Sequence, residues 1–308
     1  MNRRELLKGT SALGLLGAIP FLPSAGTAFA NASTSDQTAP SASPLKAPAS
    51  GSIPVAVVLS EGAVVIDFCG PWEVFESAYV PRHEDAPFEL YTVAADVNPI
   101  HASGGLKIVP DYSFKNAPAP KVIVIPAQHE SSPAMLEWIR ASAKTADVTM
   151  SVCTGSFILA ETGLLAGKSA TTHHSAYKTF AVQFSDVHCV RGVRFVEDGN
   201  LATAGGLSSG IDLALRVVER YYGRDIAKWT AFQMEYQGEG WVNPGVNAEY
   251  AKVPVSTPEH PLCPVCNMEV VPDPKLSSVY QGKTYYFCMA DHKAMFDAKP
   301  KVFLEDGA

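Results

Sequence analysis

Two groups of residues in this sequence have types and spacings that suit chemistry, and both contain cysteine. Cys153 stands alone in the stretch VTMSVCTGSFILAETGLL, between an apolar β-branched run and a segment patterned as a helix. Near the carboxyl end, thiol and imidazole side chains form two close pairs, Cys263 with Cys266 and Cys288 with His292. A thiol at a strand-to-helix turn suits a nucleophile, whereas two close pairs of such ligands suit a tetrahedral metal ion.

The position of Cys153 favours a reactive thiol. Val148–Val152 should be a buried strand and the segment from Gly155 a helix, so the cysteine falls on the turn between them. Ligands bind at the carboxyl ends of parallel strands, and the free N–H groups of the following helix favour negative charge. We therefore expect the pKa of the Cys153 thiol to lie below its ordinary value of about 8.5. The alternative, a buried cysteine that acts as a small hydrophobe, is our interpretation of Cys69 and Cys189.

The elements that must position Cys153 alternate between strands and helices. Apolar runs such as IPVAVVLS, FELYTVAA, KVIVIPA and VTMSVC alternate with helical patterns, one of which is expected to begin at Pro71. This alternation predicts an α/β domain over residues 53–240, with a mostly parallel sheet and helices on both faces. Residues 241–258 carry Gly, Pro and Asn without a sustained period and are expected to form an arm or linker.

Several motifs occur in the same order as in the ThiJ/PfpI superfamily, which the chain resembles from Ile53 to about Tyr222. They are VIDFCGPWEVF, GLKIVPDYSF, the elbow region SVCTGSFILAETGLLAGKSATTHH, and TAGGLSSGIDLAL. The resemblance implies a flavodoxin-like fold of the class I glutamine amidotransferase type. The CTG elbow, the acid two strands earlier and the TTH segment look most like the isonitrile hydratase branch, although the same domain is also fused to regulators.

The resemblance also implies roles for individual residues. Cys153 would be the nucleophile, Thr154 would support the site, and Asp67 of VIDFCGP would be the carboxylate near the thiol. His173 matches the position where several relatives place a histidine beside the thiol. Taken alone, Asp67 could instead hydrogen-bond in the turn before a helix that starts at Pro71.

Further residues are candidates for the pocket. Ala127 and Gln128 stand where Gly-Gly is common after VIVIP, and the Ala127 N–H is expected to face a developing anion. His174 replaces a usual Trp, and Cys69 replaces a usual small polar residue. Glu73, in the first turn of the predicted helix, is the second choice for the acid.

These residues and the resemblance together predict an exported cysteine-dependent enzyme of the isonitrile hydratase type that acts on a small molecule and needs no organic cofactor. A thiolate can attack the terminal carbon of an isonitrile, and one carboxyl group that alternates between acid and base can serve the later steps. The alternative function is a non-enzymatic periplasmic protein that binds or senses small molecules, oxidants or metals. A homodimer is expected by family analogy alone.

Residues 259–306 form a unit of their own, whose core is too small to be stable without a staple. The segments CPVCNMEV, YQGKTYYFC and FDAKPKVFL resemble a YHS domain, a metal-binding module related to the TRASH treble-clef group. The predicted ligands are Cys263, Cys266, Cys288 and His292, where the family commonly has cysteine in the last position. We expect zinc, with copper(I) as the alternative metal. A disulfide from Cys263 to Cys266 or Cys288 is the alternative to a metal.

Residues 1–30 predict a twin-arginine signal peptide, with a paired arginine, a short apolar stretch and small residues before the cleavage point. Residues 31–52 have almost no large apolar side chain, which predicts a flexible linker. Cleavage would change the net charge from −7 to −9, because three basic residues leave with one acidic residue. We expect the protein in the periplasm, with no stable membrane insertion after cleavage and no nucleic-acid partner.

Overall fold

The computed structural model describes residues 42–129, 131–252 and 254–304. The predicted signal peptide and residues 31–41 of the predicted linker lie outside the described residues. Among the helices in the described part of the chain, none is both long enough and apolar enough to cross a membrane.

A seven-stranded sheet, parallel apart from one edge strand, forms the centre of the main domain. The strands in chain order are β1 (Ile53–Val58), β2 (Phe88–Ala94), β3 (Ile100–His101), β4 (Lys107–Ile108), β5 (Tyr112–Ser113), β6 (Val122–Ile125), β7 (Val148–Val152), β8 (Ser169–Ala170), β9 (His188–Cys189), β10 (Phe195–Asp198) and β11 (Leu201–Ala204). The order across the sheet is β10-β11-β7-β6-β1-β2-β5. Strand β10 runs antiparallel to β11, and the other pairings in this sheet are parallel.

Helices cover both faces of this sheet. They are α1 (Val65–Ser77), α2 (Pro133–Ser142), α3 (Gly155–Glu161), α4 (Tyr177–Gln183), α5 (Ser209–Tyr222) and α6 (Arg224–Gln233). Helices α1, α5 and α6 contribute to one buried core, and α2, α3 and α4 to the other. Along β1, Val55 and Val57 face the first core, whereas Ala56 and Val58 face the second. The predicted α/β fold, with a mostly parallel sheet covered on both faces, is confirmed.

The first helix begins earlier than the sequence pattern indicated. The predicted start at Pro71 is wrong, because α1 starts at Val65 and Pro71 lies inside it. The cap comes from a distant loop: the Ser103 hydroxyl accepts a hydrogen bond from the Val65 N–H at 3.0 Å. Asp67 therefore lies fully buried in the first helical turn and not in a turn that precedes a helix.

The end of the predicted linker contacts the main domain. The Ala42 and Ser43 carbonyls accept hydrogen bonds from the guanidinium groups of Arg216 and Arg220, at 3.3 and 3.1 Å. The side chain of Leu45 packs against the core beneath α5. These contacts hold the chain against the domain before β1 begins.

The carboxyl-terminal unit is a hairpin followed by two short helices. Its elements are β12 (Ser277–Tyr280), β13 (Lys283–Tyr286), α7 (Ala290–Ala298) and α8 (Pro300–Leu304). The preceding arm is largely in 3₁₀ conformation over Pro244–Ala251. The unit's small core includes three buried phenylalanines, Phe287, Phe296 and Phe303.

The unit docks on α4 of the main domain. The Lys178 ammonium donates to the Phe303 carbonyl at 3.1 Å, and the Thr179 hydroxyl donates to the Val265 carbonyl at 3.5 Å. Val182, one turn further along α4, packs against the core of the unit. Helix α4 therefore contributes several of the contacts between the sheet domain and the cysteine-rich unit.

Candidate functional site

Cys153 occupies a strained turn between β7 and α3. Its φ is 58°, in the left-handed region that residues with a side chain rarely adopt. The Cys153 N–H donates to the Ala204 and Gly205 carbonyls at 3.1 and 2.9 Å. The Ser156 and Thr172 hydroxyls each donate to the Cys153 carbonyl at 3.2 Å. Strain of this kind persists where surrounding contacts over-determine it, and it concentrates at active sites.

The elbow requires glycine two residues after Cys153. A Cβ at Gly155 would lie 2.2 Å from the Ile125 carbonyl oxygen and 2.8 Å from the Pro126 carbonyl. The start of α3 therefore packs directly on the end of β6. This close approach fixes the first turn of α3 next to the cysteine.

Two residues act directly on the Cys153 sulfur. Thr154 hydrogen-bonds it through both its N–H and its hydroxyl, and the Asp67 carboxylate acts on it through charge. The Asp67 Oδ2 accepts the Ala127 N–H at 3.1 Å. The Asp67 Oδ1 is buried and has no hydrogen-bond partner among the described residues. The structure thus brings together the predicted nucleophile, its neighbour and the predicted acid.

Burial shifts both ionisable groups towards their protonated forms. Desolvation raises the pKa of Asp67 from 3.8 to about 7, although the hydrogen bond from Ala127 opposes this shift. Desolvation, and then the Asp67 charge, raise the pKa of the Cys153 thiol to about 12, although the hydrogen bonds with Thr154 oppose the change. The expected lowering of the Cys153 pKa is therefore wrong, because burial outweighs the helix terminus. Between these two pKa values the pair holds one proton.

A cavity of about 540 Å³ opens beside the elbow, at the carboxyl edge of the parallel strands. It lies between the loop after β1, the turn from β3 to β4, the loop after β6 and the start of α3. The lining residues include Val64, Ala127 and Thr154 near the elbow. Exposed polar side chains of Glu61 and His101 line it further out.

Ala127 and Gln128 line this cavity, but their polar groups are already engaged. The Ala127 N–H, expected to face a developing anion, donates to Asp67 instead. The Gln128 Oε1 accepts hydrogen bonds from the Ser60 N–H and hydroxyl at 2.6 and 2.9 Å. Ala127 therefore positions the acid, and Gln128 ties the loop after β6 to the loop after β1.

Glu73 and His173 make their described contacts away from the thiol. Burial, and then the Glu73 charge, raise the pKa of the Cys69 thiol on the same helix. The His173 Nδ1 lies 2.8 Å from the Ser175 hydroxyl, and no described hydrogen bond joins His173 to Cys153. Burial, and then the neighbouring His174, lower the pKa of His173 to about 4. This histidine anchors the turn before α4.

His174, expected at the pocket, does not line the cavity beside the elbow. It lines a separate crevice of about 90 Å³ that faces the carboxyl-terminal unit. Its ring lies 5.1 Å from the Tyr250 ring, between centroids, and the crevice also includes Cys266 and Met268. His174 therefore belongs to the contact between the sheet domain and the cysteine-rich unit.

The structure also brings the predicted metal ligands together. The ligand atoms of Cys263, Cys266, Cys288 and His292 lie within 4.8 Å of one another. The distances are 3.6 Å from Cys266 Sγ to Cys288 Sγ, and 3.7 and 3.1 Å from His292 Nδ1 to Cys263 Sγ and Cys288 Sγ. Zn–S bonds of ~2.3 Å and Zn–N bonds of ~2.0 Å in a tetrahedron place such atoms roughly 3.5–3.8 Å apart. Donor types and spacing therefore fit a tetrahedral metal ion.

The cysteines of this cluster are free thiols, so the disulfide alternative is not what the structure contains. Cys263 and Cys266 are buried. A hydrogen bond between their side chains lowers the pKa of Cys263 to about 3. The same interaction raises the pKa of Cys266. Thiols bind metal ions as thiolates, so metal binding at this pair would release protons.

A cysteine on a strained strand-to-helix elbow, beside a buried carboxyl group on a doubly covered parallel sheet, defines a recognised class. The model of the DJ-1/PfpI family matches residues 54–220, and the chain belongs to that family. An isonitrile hydratase from Pseudomonas putida is 36% identical over 180 residues, which cover 56% of this chain and 73% of the hydratase.

Other relatives differ in kind. The HTH-type transcriptional regulator CdhR of Pseudomonas aeruginosa is 26% identical over 144 residues, or 46% of this chain and 43% of the regulator. The crystal structure of a THiJ/PfpI family protein from Pseudomonas syringae aligns with a TM-score of 0.55 and 28% identity, over 66% of this chain and 84% of that one. The superfamily resemblance is confirmed, and the relatives include both an enzyme and a regulator.

Sequence reasoning missed the polar residues at the outer part of the cavity. Glu61, His101 and His129 all line it. Glu61 and His129 each follow a sheet strand by a few residues, where the carboxyl edge brings loops together. Listing the polar residues after each predicted strand would have found these two, whereas His101 lies in a hairpin that carries no such signal.

Proposed function

We propose that this protein is a cysteine-dependent hydratase of the isonitrile type that acts on a small molecule, with Cys153 as nucleophile and Asp67 as acid and base. The observation that carries the proposal is the buried Asp67 carboxyl group, which acts on the Cys153 sulfur and keeps one oxygen without a hydrogen-bond partner among the described residues. The similarity to the Pseudomonas putida isonitrile hydratase supports the same reaction class.

The geometry supports a reaction that starts and ends with one proton on the pair. In the reactive form that proton lies on Asp67, and the thiolate accepts the hydrogen bonds from Thr154. Sulfur attacks the terminal carbon of the isonitrile, and the same carbon takes the proton from Asp67, which gives a thioimidate. The Asp67 carboxylate then removes a proton from an attacking water. The C–S bond breaks, and the released imidic acid rearranges to an N-substituted formamide.

The pKa values of Asp67 and Cys153 and the overall balance of the reaction both fit these steps. Between pH 7 and 12, a carboxyl group of pKa about 7 and a thiol of pKa about 12 keep one proton between them. The reaction consumes one isonitrile and one water and returns the pair to its starting state. The chain's own groups thus suffice for both proton transfers.

Turnover of simple alkyl isonitriles, followed as formamide by NMR, tests the proposal. Cys153→Ala and Asp67→Asn should each lower kcat/KM by at least a hundredfold. Cys69→Ser is the matched control, because Cys69 is exposed and does not line the cavity beside the elbow. A Cys153→Ala protein that keeps wild-type turnover would remove the nucleophile assignment.

A second candidate function is a non-enzymatic protein that senses small molecules, oxidants or metals. The observation that favours it is the cysteine-rich unit seated on α4, the helix that follows the His173–His174 turn. Isothermal titration with zinc, together with a substrate panel, distinguishes the two functions. Tight metal binding without turnover of any isonitrile would support the sensing function.

We propose that the cluster holds zinc, with copper(I) as the alternative, and that residues 259–306 are a YHS domain. Three thiolates and one imidazole are ligands that both metals accept. Metal analysis of protein purified from cells tests the site, with Cys288→Ser as the variant that should lose the ion. Wild-type protein that carries no metal under these conditions would contradict the proposal.

We also propose export through the twin-arginine pathway to the periplasm and assembly as a homodimer. The paired arginine at the start of the chain supports export, and family membership supports the dimer. Cell fractionation of wild-type protein and of a variant with Arg3→Lys and Arg4→Lys tests export. Light scattering coupled to size-exclusion chromatography tests the dimer.

A further inference from the structure

The described side chains that line the cavity beside Cys153 carry negative charge but no permanent positive charge. None of the described residues that line it is lysine or arginine, whereas Glu61 places a carboxylate there. Asp67 does not line the cavity, but its charge acts on the Cys153 thiol, whose neighbour Thr154 does line it. A ligand in this cavity therefore meets the Glu61 carboxylate and no permanently positive side chain among the described lining residues. Such a cavity disfavours anions and favours a cationic or hydrogen-bond-donating group.

Glu61 is held in place by the neighbouring hairpin. Both of its carboxylate oxygens accept the His101 N–H, at 3.2 Å each. The His101 Nδ1 lies 3.5 Å from Glu61 Oε2. The carboxylate is thereby fixed at the outer part of the cavity, although its side chain remains about three-fifths exposed (59%). A fixed acceptor loses less conformational entropy when a ligand binds to it.

His129 completes this outer polar group. Its N–H donates to the Glu61 carbonyl at 3.1 Å, and its ring lies directly against Gly62. A Cβ at Gly62 would lie 2.4 Å from ring atoms of His129, and the φ of Gly62 is 75°. Glycine at this position therefore lets the ring lie close to the loop that carries Glu61.

We infer that the substrates of this site are isonitriles that carry an ammonium or similar cationic group, with Glu61 as the specificity-determining residue. The inference rests on the proposed function, because it assumes that the isonitrile carbon lies at Cys153. The isonitrile then occupies the inner end of the cavity, and the cationic group pairs with Glu61 at the outer end. A volume of about 540 Å³ is in the range of small-molecule sites.

Two isonitriles of equal size test the inference. Dimethylaminopropyl isonitrile is cationic at pH 8, and isohexyl isonitrile has the same skeleton with carbon in place of nitrogen. The wild-type protein should prefer the cation by about fivefold in kcat/KM, as expected for a partly exposed ion pair. Glu61→Gln should abolish this preference, because the amide carries no charge although its oxygen can still accept the His101 N–H. Glu137→Gln, an exposed carboxylate on α2, is the control and should keep the preference.

Binding of the two product formamides, measured by calorimetry, is a readout that does not need turnover. Tighter binding of the cationic formamide to wild-type protein, lost in Glu61→Gln, supports the inference even when no isonitrile is hydrated. In that case the proposed function fails and the cation site stands. Equal kcat/KM for the two isonitriles, preference for an anionic isocyanobutanoate, or a preference that survives in Glu61→Gln would overturn the inference while the hydratase function stands.

Discussion

Asp67→Asn should stabilise the protein at alkaline pH while it removes activity. The pKa of Asp67 is about 7 in the folded chain and 3.8 as its ordinary value, a difference of about 3 units. Each unit corresponds to about 1.4 kcal/mol, so the folded state loses about 4 kcal/mol as the pH rises from below 4 to above 7. The sign follows from burial: a group whose pKa is raised on folding stabilises the fold while protonated, and that stability is lost as the carboxylate forms.

Asparagine has nearly the same shape and cannot ionise. Its oxygen can accept the Ala127 N–H that Asp67 Oδ2 now accepts. Its amide group takes the place of Oδ1, which has no hydrogen-bond partner among the described residues. The variant therefore keeps the packing and avoids the charged form.

Urea unfolding followed by tryptophan fluorescence measures the effect. At pH 8 the Asp67→Asn protein should exceed wild type by up to about 4 kcal/mol, and at pH 5 by about 2 kcal/mol. Asp186→Asn removes an exposed carboxylate and is the control, with little change expected at either pH. Equal stability of wild type and Asp67→Asn at both pH values would refute the reasoning, because it would mean that burial does not oppose ionisation of Asp67.

Three further predictions follow from the elbow and the cluster. Gly155→Ala should lower the free energy of unfolding by about 2–3 kcal/mol and reduce turnover, because the new Cβ would lie 2.2 Å from the Ile125 oxygen. Gly163 has a φ of 78° and open space around it, so Gly163→Ala should cost about 1 kcal/mol in the same unfolding measurement. In a pH profile, kcat/KM for a neutral isonitrile should rise with pH to a plateau with a midpoint near 7, because Asp67 and Cys153 must together lose one proton before sulfur can attack. A profile that falls above pH 7 would contradict this assignment. Chelation of the metal should unfold the cysteine-rich unit and increase hydrogen exchange in α4, because Lys178 and Thr179 of α4 contact that unit. Exchange in β6 should stay unchanged. Unchanged exchange in α4 would argue against the docking contacts.

Much of the fold could be predicted because it depends on local patterns. Runs of apolar β-branched residues separated by helical patterns are sufficient to indicate a parallel sheet covered on both faces. The elbow at Cys153 and the pairing of Cys263 with Cys266 follow from short spacings in the chain. Such features need no knowledge of how distant segments meet.

The start of α1 could not be predicted because its cap lies far away in sequence. Val65 is capped by Ser103, which is 38 residues away. Pro71, which reads as a helix start, lies within the helix instead. The local rule gave the wrong boundary because a tertiary contact replaced the missing cap.

The pKa of Cys153 could not be predicted because two opposing effects act on it. The helix N-terminus and Thr154 favour the thiolate, whereas burial and the Asp67 charge oppose it. The degree of burial is a property of the folded chain, and only 7% of Cys153 is exposed. The position of His174 could not be predicted either, because it depends on how the sheet domain packs against the cysteine-rich unit.

The central claim is that Cys153 forms a covalent bond to the isonitrile carbon. Its most direct test is mass spectrometry of protein mixed with an isonitrile and quenched in acid within milliseconds to seconds, followed by peptide mapping. The claim predicts that the peptide with Cys153 gains the mass of one isonitrile, that Cys69 does not, and that Asp67→Asn forms less of the adduct. Formamide production with no mass added to Cys153 at any time point, and with undiminished turnover in Cys153→Ala, would contradict it.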